Sequence, residues 1–386
     1  MAEHVQKLKS HFLNYKQEFV SLLRALVEEE TPSDKPSAFD HIFQIIEEEF
    51  GKLDVEVRHV EGRTSAGQLL CLPRNFNPRA SIQLIVGHCD TVWAEGTLDE
   101  MPFTVNGNEV SGPGVYDMKA GICMMISALY SLKVLQKSPA VQPVFLISTD
   151  EETGSEDSRG LIVEWARQAE RTFVLEPSLG LDGKIKTRRK GVGNFEITIT
   201  GKPSHAGLAP EEGVSAILGL SHIVQQLFRL NDPAKGVSVN VGTIEGGVRS
   251  NVIAAKSKAV VDVRVLTQKD GERITNEIYN LKPEIAGIEL EVKGGINRPP
   301  MEKNEENEKL WDLTRELGQK LGLDLREDVS GGGSDGNFTN LYSPTIDGLG
   351  AVGDGAHAWH EKIFLEETLL RAALFALLLL QPSVNR

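Results

Sequence analysis

Short apolar runs alternate with helical stretches in the first half of the chain. Residues 82–86, 144–147 and 173–175 form apolar runs of the kind that a sheet buries on both faces. Residues 118–136 and 158–169 carry helical spacing between them. This alternation predicts an α/β fold with helices on both faces of a sheet.

The remainder of the chain divides at changes in this pattern. Residues 1–50 predict two amphipathic helices on either side of Thr31-Pro32-Ser33. Beyond Lys190, residues 195–200 alternate apolar and polar positions, as a half-exposed strand does. Residues 301–386 predict a helix, glycine-rich loops and a final helix.

The segment after Lys190 predicts a second domain. Its strand at 195–200 is followed by a helix, two strands, a helix and a strand, at residues 214–230, 237–244, 259–266, 272–281 and 288–292. The order β-α-β-β-α-β is that of a ferredoxin-like domain. We therefore expect a catalytic domain in two parts, residues 1–190 and 299–386, with an inserted domain at 191–298.

Composition narrows the classes of partner and compartment. A length of 386 residues favours two domains, and the net charge of −14 argues against nucleic acid as a partner. Three cysteines are too few for a disulfide framework, and the N-terminus lacks the apolar segment of a signal peptide. The apolar run at 372–380 is much shorter than the ~20 residues that span a bilayer. We expect a cytoplasmic protein with no membrane partner.

Histidine and carboxylate residues follow each apolar run of the first domain. His88 and Asp90 follow the first run, Glu151 and Glu152 the second, and Glu176 the third. Ligands of open α/β sheets bind beyond the carboxyl ends of the strands, so these side chains are expected at one edge. Imidazole and carboxylate together suit zinc or a similar divalent ion.

Each of these residues also has a structural explanation. His88 and Asp90 could form a hydrogen bond that ends a strand, and Asp117 could cap the helix at 118–136. Glu151 and Glu152 could lie in a solvated loop, and Glu176 before Pro177 could simply end a strand. Separate explanations would be needed for every residue, whereas one metal site accounts for all of them.

Four motifs resemble those of a known family. They are GHCDTV at 87–92, GPGVYDMK at 112–119, DEETGS at 150–155 and GKPSHAG at 201–207. The sequence resembles the co-catalytic zinc exopeptidases that include glutamate carboxypeptidase, acetylornithine deacetylase and succinyl-diaminopimelate desuccinylase. The glycine run at 331–336 and Gly355-Ala356-His357 are most similar to the glutamate carboxypeptidase branch. The resemblance implies a three-layer zinc-exopeptidase catalytic domain with an inserted ferredoxin-like α+β domain.

The resemblance implies two zinc ions per subunit, for which cobalt or manganese could substitute. Asp117 would bridge both ions and precede a cis peptide bond to Met118. The remaining ligands would be His88 and Glu176 for one ion, and Glu152 and His357 for the other. Asp90 would hold the far ring nitrogen of His88.

The general base and one ligand each have a competing neighbour. Glu151 and Glu152 are adjacent, and the residues alone leave open which of them ligates. The resemblance assigns Glu151 as the base that takes a proton from metal-activated water. His357 and His360 both lie near the last ligand position, and the resemblance favours His357.

The resemblance also implies substrate contacts outside the metal ligands. His205 would stabilise the oxyanion, and Asn251 would bind substrate. Arg264 and the backbone of Gly332 would bind a substrate carboxylate. The alternatives are a turn histidine, turn chemistry at Asn251, an ion pair between Arg264 and Asp262, and a flexible glycine loop.

The leading functional hypothesis is a zinc carboxypeptidase that cleaves an amide bond and releases a C-terminal amino acid, with glutamate as a candidate. The substrate would be a peptide or an N-acyl amino acid. The alternative within the class is a deacylase of an acylated amino acid or amine, and a different class is a non-catalytic binding protein. Relatives also imply a homodimer through the inserted domain, against a monomer that closes on itself.

Overall fold

The computed structural model describes residues 2–383, which form two compact units. One unit contains the residues up to Arg188, Lys303–Ser330 and the residues from Ser334 on, and the other contains Arg189–Glu302 with Gly331–Gly333. The inserted unit is longer than the predicted 191–298, because Arg189 and Met301 exchange backbone hydrogen bonds of 3.2 and 3.0 Å. Residues 331–333, which the sequence placed with the catalytic domain, lie with the inserted unit in the structure. The carbonyls of Gly332 and Gly333 accept hydrogen bonds from Arg189 Nη1 in the inserted unit.

The strands follow one another through both units. In chain order they are β1 Val55–Val60, β2 Gln68–Pro73, β3 Ile82–His88, β4 Thr104–Asn106, β5 Glu109–Ser111, β6 Gln142–Ser148, β7 Ala169–Val174, β8 Ile185–Arg189, β9 Gly191–Thr200, β10 Ser238–Gly246, β11 Lys256–Val265, β12 Glu289–Arg298, β13 Glu327–Ser330, β14 Thr345–Ile346, β15 Gly353–Asp354 and β16 Lys362–Phe364.

The helices pack on these sheets. They are α1 Ala2–Asn14, α2 Lys16–Val27, α3 Asp40–Gly51, α4 Thr97–Glu100, α5 Ala120–Val134, α6 Arg159–Ala166, α7 Ala216–Phe228, α8 Gln268–Tyr279, α9 Glu305–Leu321, α10 Gly336–Thr339 and α11 Leu365–Leu379. Within residues 2–383, none of them has the length and apolar character needed to cross a membrane.

A six-stranded sheet forms the centre of the first unit, in the order β1-β2-β6-β3-β7-β14. Strands β6, β3, β7 and β14 are parallel, and β1 and β2 extend the sheet with antiparallel pairs. The three apolar runs of the sequence are the central strands β3, β6 and β7, all buried along most of their length.

Successive residues of these strands pack on opposite faces of the sheet. Ile85, Phe145 and Phe173 belong to a core with α5 and α11, whereas Leu84 and Leu146 belong to a second core with α6. Alternate side chains of a strand point to opposite faces, so the sheet lies between two layers of helices. The predicted three-layer α/β fold is confirmed.

The N-terminal segment departs from the prediction of two helices. The described residues 2–51 contain three α-helices, because α1 and α2 are separated at Tyr15, whose φ of −90° and ψ of 18° leave the helical range. Tyr15 stacks instead on the rings of His11 and Tyr130. A single tyrosine gives no sequence signal for such a break, since its helix propensity is ordinary.

The inserted unit has an antiparallel sheet in the order β10-β11-β9-β12. With α7 and α8 between its strands, the chain order is β-α-β-β-α-β, so the predicted ferredoxin-like topology is confirmed. One face of the sheet packs on both helices through residues such as Ile197, Val261 and Ile223.

Candidate metal centre

Three parallel strands end side by side at the candidate centre. His88 is the last residue of β3 and pairs in register with Ser148, the last residue of β6. Glu151 and Glu152 follow β6 in a turn, and Glu176 follows β7. The carboxyl ends of parallel strands meet at one edge of a sheet, which brings these side chains together.

Asp117 lies between two imidazoles. Its Oδ1 is 3.3 Å from His88 Nε2, and its Oδ2 is 3.6 Å from His357 Nε2. Glu176 Oε1 lies 3.3 Å from the same nitrogen of His88, and Glu152 lies 3.1 Å from His357 Nε2. Each imidazole therefore has a carboxylate of its own, Glu176 for His88 and Glu152 for His357. Asp117 lies near both imidazoles.

These residues could hold divalent ions. Ligand atoms of His88, Glu151 and Glu176 lie within 4.8 Å of one another, as do those of His88, Asp117 and Glu152. His88 Nε2 and Asp117 Oδ1 are buried without a hydrogen-bond partner among the described residues. Buried polar atoms without partners are costly, and a cation between them would satisfy both. The donor set of imidazoles and carboxylates fits zinc and similar divalent ions.

The carboxylates of the cluster shift the pKa values of its two histidines. Burial lowers the pKa of His88, but the nearby carboxylates of Asp117, Asp90 and Glu176 raise it well above its usual value. The hydrogen bond to Glu152 raises the pKa of His357 to about 9. Burial raises the pKa of Glu152. Carboxylates that raise histidine pKa values favour positive charge between them, which a bound cation would also supply.

Asp90 is completely buried beneath the centre. Its Oδ1 lies 3.3 Å from His88 Nδ1, and its carboxylate accepts hydrogen bonds from the backbone N–H groups of Glu151 and Glu152 at 3.4 and 3.1 Å. Ser33 Oγ donates a further hydrogen bond of 2.8 Å. Asp90 therefore orients both a candidate ligand and the turn that carries the two glutamates.

The turn that carries Asp117 has an irregular backbone. The peptide bond between Asp117 and Met118 is cis, as the resemblance implied. Gly114 precedes the turn with φ of +72°, and a Cβ atom there would lie 2.5 Å from Thr91 Cγ2. Glycine is therefore required at this position.

The candidate histidines near the C-terminus lie in different surroundings. His357 Nε2 contacts Glu152 and Asp117, whereas His360 Nε2 lies 3.7 Å from Asp354. Glu361, four positions after His357, was not predicted as a site residue. In the structure Glu361 is completely buried and contacts the Asp117 turn through its side chain. The spacing of His357 and Glu361 was the one signal for it in the sequence.

His205 and Asn251 are neighbours in the inserted unit. The N–H of Ala206 donates to the carbonyl of Asn251 at 3.0 Å. His205 Nδ1 accepts hydrogen bonds from the N–H groups of Gly207 and Leu208 at 3.1 and 3.2 Å. His205 and Asn251 are both exposed, and both belong to the inserted unit.

Arg264 forms the ion pair that was the alternative to substrate binding. Its Nε and Nη2 donate to the Asp262 carboxylate at 2.8–3.1 Å. Nη1 has no hydrogen-bond partner among the described residues and is the part of the guanidinium that a substrate could use. The carbonyls of Gly332 and Gly333 in the glycine loop accept hydrogen bonds from Arg189 Nη1.

The three-layer α/β fold and the buried cluster at the edge of its sheet fit a metal-dependent hydrolase. Residues 84–381 match the profile of peptidase family M20/M25/M40. Carboxypeptidase G2 of Pseudomonas sp. (strain RS-16) is 33% identical over 282 residues, which cover 71% of this chain and 67% of that protein. The chain belongs to peptidase family M20/M25/M40 and is a metallopeptidase.

Solved structures agree on the fold. Aminopeptidase PepT from Bacillus cereus has a TM-score of 0.78 at 22% identity, covering 96% of this chain and 98% of that one. A dinuclear metal-binding peptidase of the M20 family from Bacillus subtilis has a TM-score of 0.69 at 16% identity, covering 95% and 98%. The likeness extends over both units, so the catalytic domain with its insertion is the fold of these proteins.

Proposed function

We propose that this metallopeptidase is a carboxypeptidase that releases a C-terminal amino acid from a peptide or an N-acyl amino acid. The observation that carries the proposal is the buried cluster in which Asp117 faces both His88 and His357, with Glu151 beside it. The similarity to carboxypeptidase G2 supports the direction of cleavage, and glutamate is the candidate leaving residue.

Two divalent ions would be held in this cluster. His88 and Glu176 would hold one, Glu152 and His357 the other, and Asp117 would contact both. Zinc is the proposed metal, and cobalt or manganese could replace it. When bound, such ions lower the pKa of a water molecule and polarise the scissile carbonyl group.

The remaining chemistry is assigned to side chains of this chain. Glu151 accepts the proton of the attacking water and passes it to the leaving amine. His205 donates to the developing oxyanion through Nε2, which carries the proton because Nδ1 accepts two backbone N–H groups. Asn251, the free Nη1 of Arg264 and the backbone at Gly332 are the proposed substrate contacts.

One observation favours a second function. Asp262 already engages two nitrogens of Arg264, which weakens the case for an arginine dedicated to a substrate carboxylate. A deacylase of N-acyl amino acids or acylated amines would use the same metal cluster and Glu151 without that contact.

A substrate comparison separates the two functions. The metal-reconstituted enzyme is offered N-acyl dipeptides with a free or an amidated C-terminus, and N-acetyl and N-succinyl amines, and the released amine is measured. A carboxypeptidase hydrolyses the free form much faster than the amide. Equal rates on both forms would favour the deacylase, and undiminished activity after verified removal of metal would refute the mechanism.

The inserted unit carries features suited to pairing with a second copy. Helix α7 exposes Ile217, Leu218 and Phe228, each about half exposed, and β10 is an edge strand. Exposed apolar side chains and unpaired strand edges are typical of protein interfaces. A homodimer through this unit is the proposed assembly.

The three cysteines support the proposed cytoplasmic location. Cys71, Cys89 and Cys123 are buried as free thiols. Burial raises the pKa of Cys71 and Cys89, which keeps these thiols protonated and unreactive. Free thiols without any disulfide fit a reducing compartment.

A further inference from the structure

Glu361 is a buried carboxylate whose partners are all N–H groups. Its Oε1 accepts hydrogen bonds from the backbone N–H groups of Tyr116 and Asp117 at 2.9 and 3.0 Å. Its Oε2 accepts from the backbone N–H of Gly114 at 3.0 Å and from Trp93 Nε1 at 2.7 Å. Among the described residues it forms no ion pair, although its side chain is 0% exposed. These four donors are therefore the direct partners of the carboxylate, and Lys119 and His357 interact with it only electrostatically.

The four donors belong to segments that carry the proposed metal ligands. Three of them are in the turn that ends in Asp117. Trp93 lies in the loop that follows His88 and Asp90, and Glu361 itself is on the segment that carries His357. One carboxylate thus joins the segments of three proposed ligands without belonging to the ligand set.

We propose that Glu361 is a positioning residue that holds the Asp117 carboxylate in place between the two metal positions. The inference rests on the proposed metal assignments. The Glu361 carboxylate accepts a hydrogen bond from the backbone N–H of Asp117 itself. It also accepts hydrogen bonds from the N–H groups of Gly114 and Tyr116 in the same turn. Without these bonds the buried N–H groups of an irregular turn would lack partners, and the turn would rearrange. The two oxygens of Asp117 would then no longer face His88 and His357 together.

The test compares the isosteric Glu361→Gln with Glu366→Gln, which makes the same change at an exposed position on α11. An amide presents its NH₂ group to N–H donors, so Glu361→Gln must lose some of the four bonds. Both proteins are stripped of metal and reloaded with zinc or cobalt. The measurements are bound ions per chain by elemental analysis, the visible absorption of the cobalt form, the melting temperature of the metal-free form, and kcat and KM separately.

Glu361→Gln should bind metal about 10- to 100-fold more weakly, as loss of a group that orients a ligand typically does. Its cobalt spectrum should change, and kcat should fall while KM stays near the wild-type value. Glu366→Gln should match the wild type in all of these. Trp93→Phe, which removes one donor and keeps the charge, should show a smaller loss of metal affinity and keeps the test decisive if Glu361→Gln does not fold.

Two failures are distinguishable. If wild-type metal affinity and cobalt spectrum persist in either folded variant while the wild type binds two ions and hydrolyses peptides, the positioning role is refuted and the proposed function stands. If the wild type itself retains no metal and hydrolyses none of the substrates, the proposed function is refuted, and this inference with it.

Discussion

Asp90 connects both halves of the candidate metal centre although it is not a proposed ligand. Its carboxylate meets His88 Nδ1 and also the backbone N–H groups of Glu151 and Glu152. Orientation by such a group would fix which side-chain atoms of the neighbouring glutamates face a bound ion. The proposed division of roles between Glu151 and Glu152 therefore depends on the conformation of one turn, and single substitutions can test it.

Glu151→Gln should retain both metal ions but lower kcat by about 10²- to 10⁴-fold, the usual contribution of a general base. Glu152→Gln should lower the metal content, because Glu152 contacts His357. Elemental analysis of dialysed proteins and initial rates give both readouts. Loss of metal in Glu151→Gln together with full metal in Glu152→Gln would reverse the assignment.

Arg264→Ala should raise KM for substrates with a free carboxylate and leave amidated substrates unchanged. If Nη1 makes a charged hydrogen bond to the substrate, its loss is worth about 1.5–3 kcal/mol. Asp262→Ala is the informative companion, because it releases Nε and Nη2. Unchanged KM in Arg264→Ala would leave the arginine with a purely structural role.

The residues of the centre differ in how far sequence could reveal them. His88, Glu151 and Glu176 were predictable because each follows an apolar strand, and parallel strands end together. Asp117 and His357 lie outside such positions and were assigned by resemblance. The role of Glu361 depends on the direction of backbone N–H groups in a turn 244 or more positions away along the chain, which no side chain pattern encodes.

A single aspartate organises the loop between β1 and β2. Asp157 Oδ2 accepts hydrogen bonds from the successive backbone N–H groups of Arg63, Thr64 and Ser65 at 2.7–2.9 Å. The conformation of this loop therefore depends on a residue just before α6. Sequence patterns predict elements from local periodicity, and contacts of this kind fall outside that information.

Asp157→Ala should lower the free energy of unfolding by about 1.5–3 kcal/mol at neutral pH, because a charged acceptor is lost. Burial raises the pKa of Asp157. The hydrogen bonds from the N–H groups of Thr64, Ser65 and Arg63 outweigh this effect and hold the pKa below its usual range. A lowered pKa contributes stability above about pH 4 that is lost as the pH falls toward the folded-state value.

Denaturant unfolding of the wild type and Asp157→Ala at several pH values measures this effect. The difference between them should shrink below about pH 4. Glu156→Ala, at the exposed neighbouring position, should stay within about 0.5 kcal/mol of the wild type. A difference that does not depend on pH would show that the charge of Asp157 is not the stabilising feature.

The two units divide the proposed chemistry between them. The metal ligands and Glu151 belong to the first unit, and His205, Asn251, Arg264 and Gly332 belong to the inserted unit. Each unit has its own hydrophobic core, and the cores share no residue. A reaction that needs both units therefore depends on how they are brought together, within one subunit or between two.

Complementation distinguishes these two arrangements. Glu151→Ala and His205→Ala should each be inactive alone, since one lacks the base and the other the oxyanion donor. If His205 acts in the partner's active site, a mixed dimer contains one site with both residues intact, and activity returns after subunit exchange. If His205 acts within its own subunit, every site keeps one defect and the mixture stays inactive. Subunit exchange is verified with differently tagged proteins, and an inactive mixture with verified exchange would exclude the shared site while leaving the role of Glu151 unaffected.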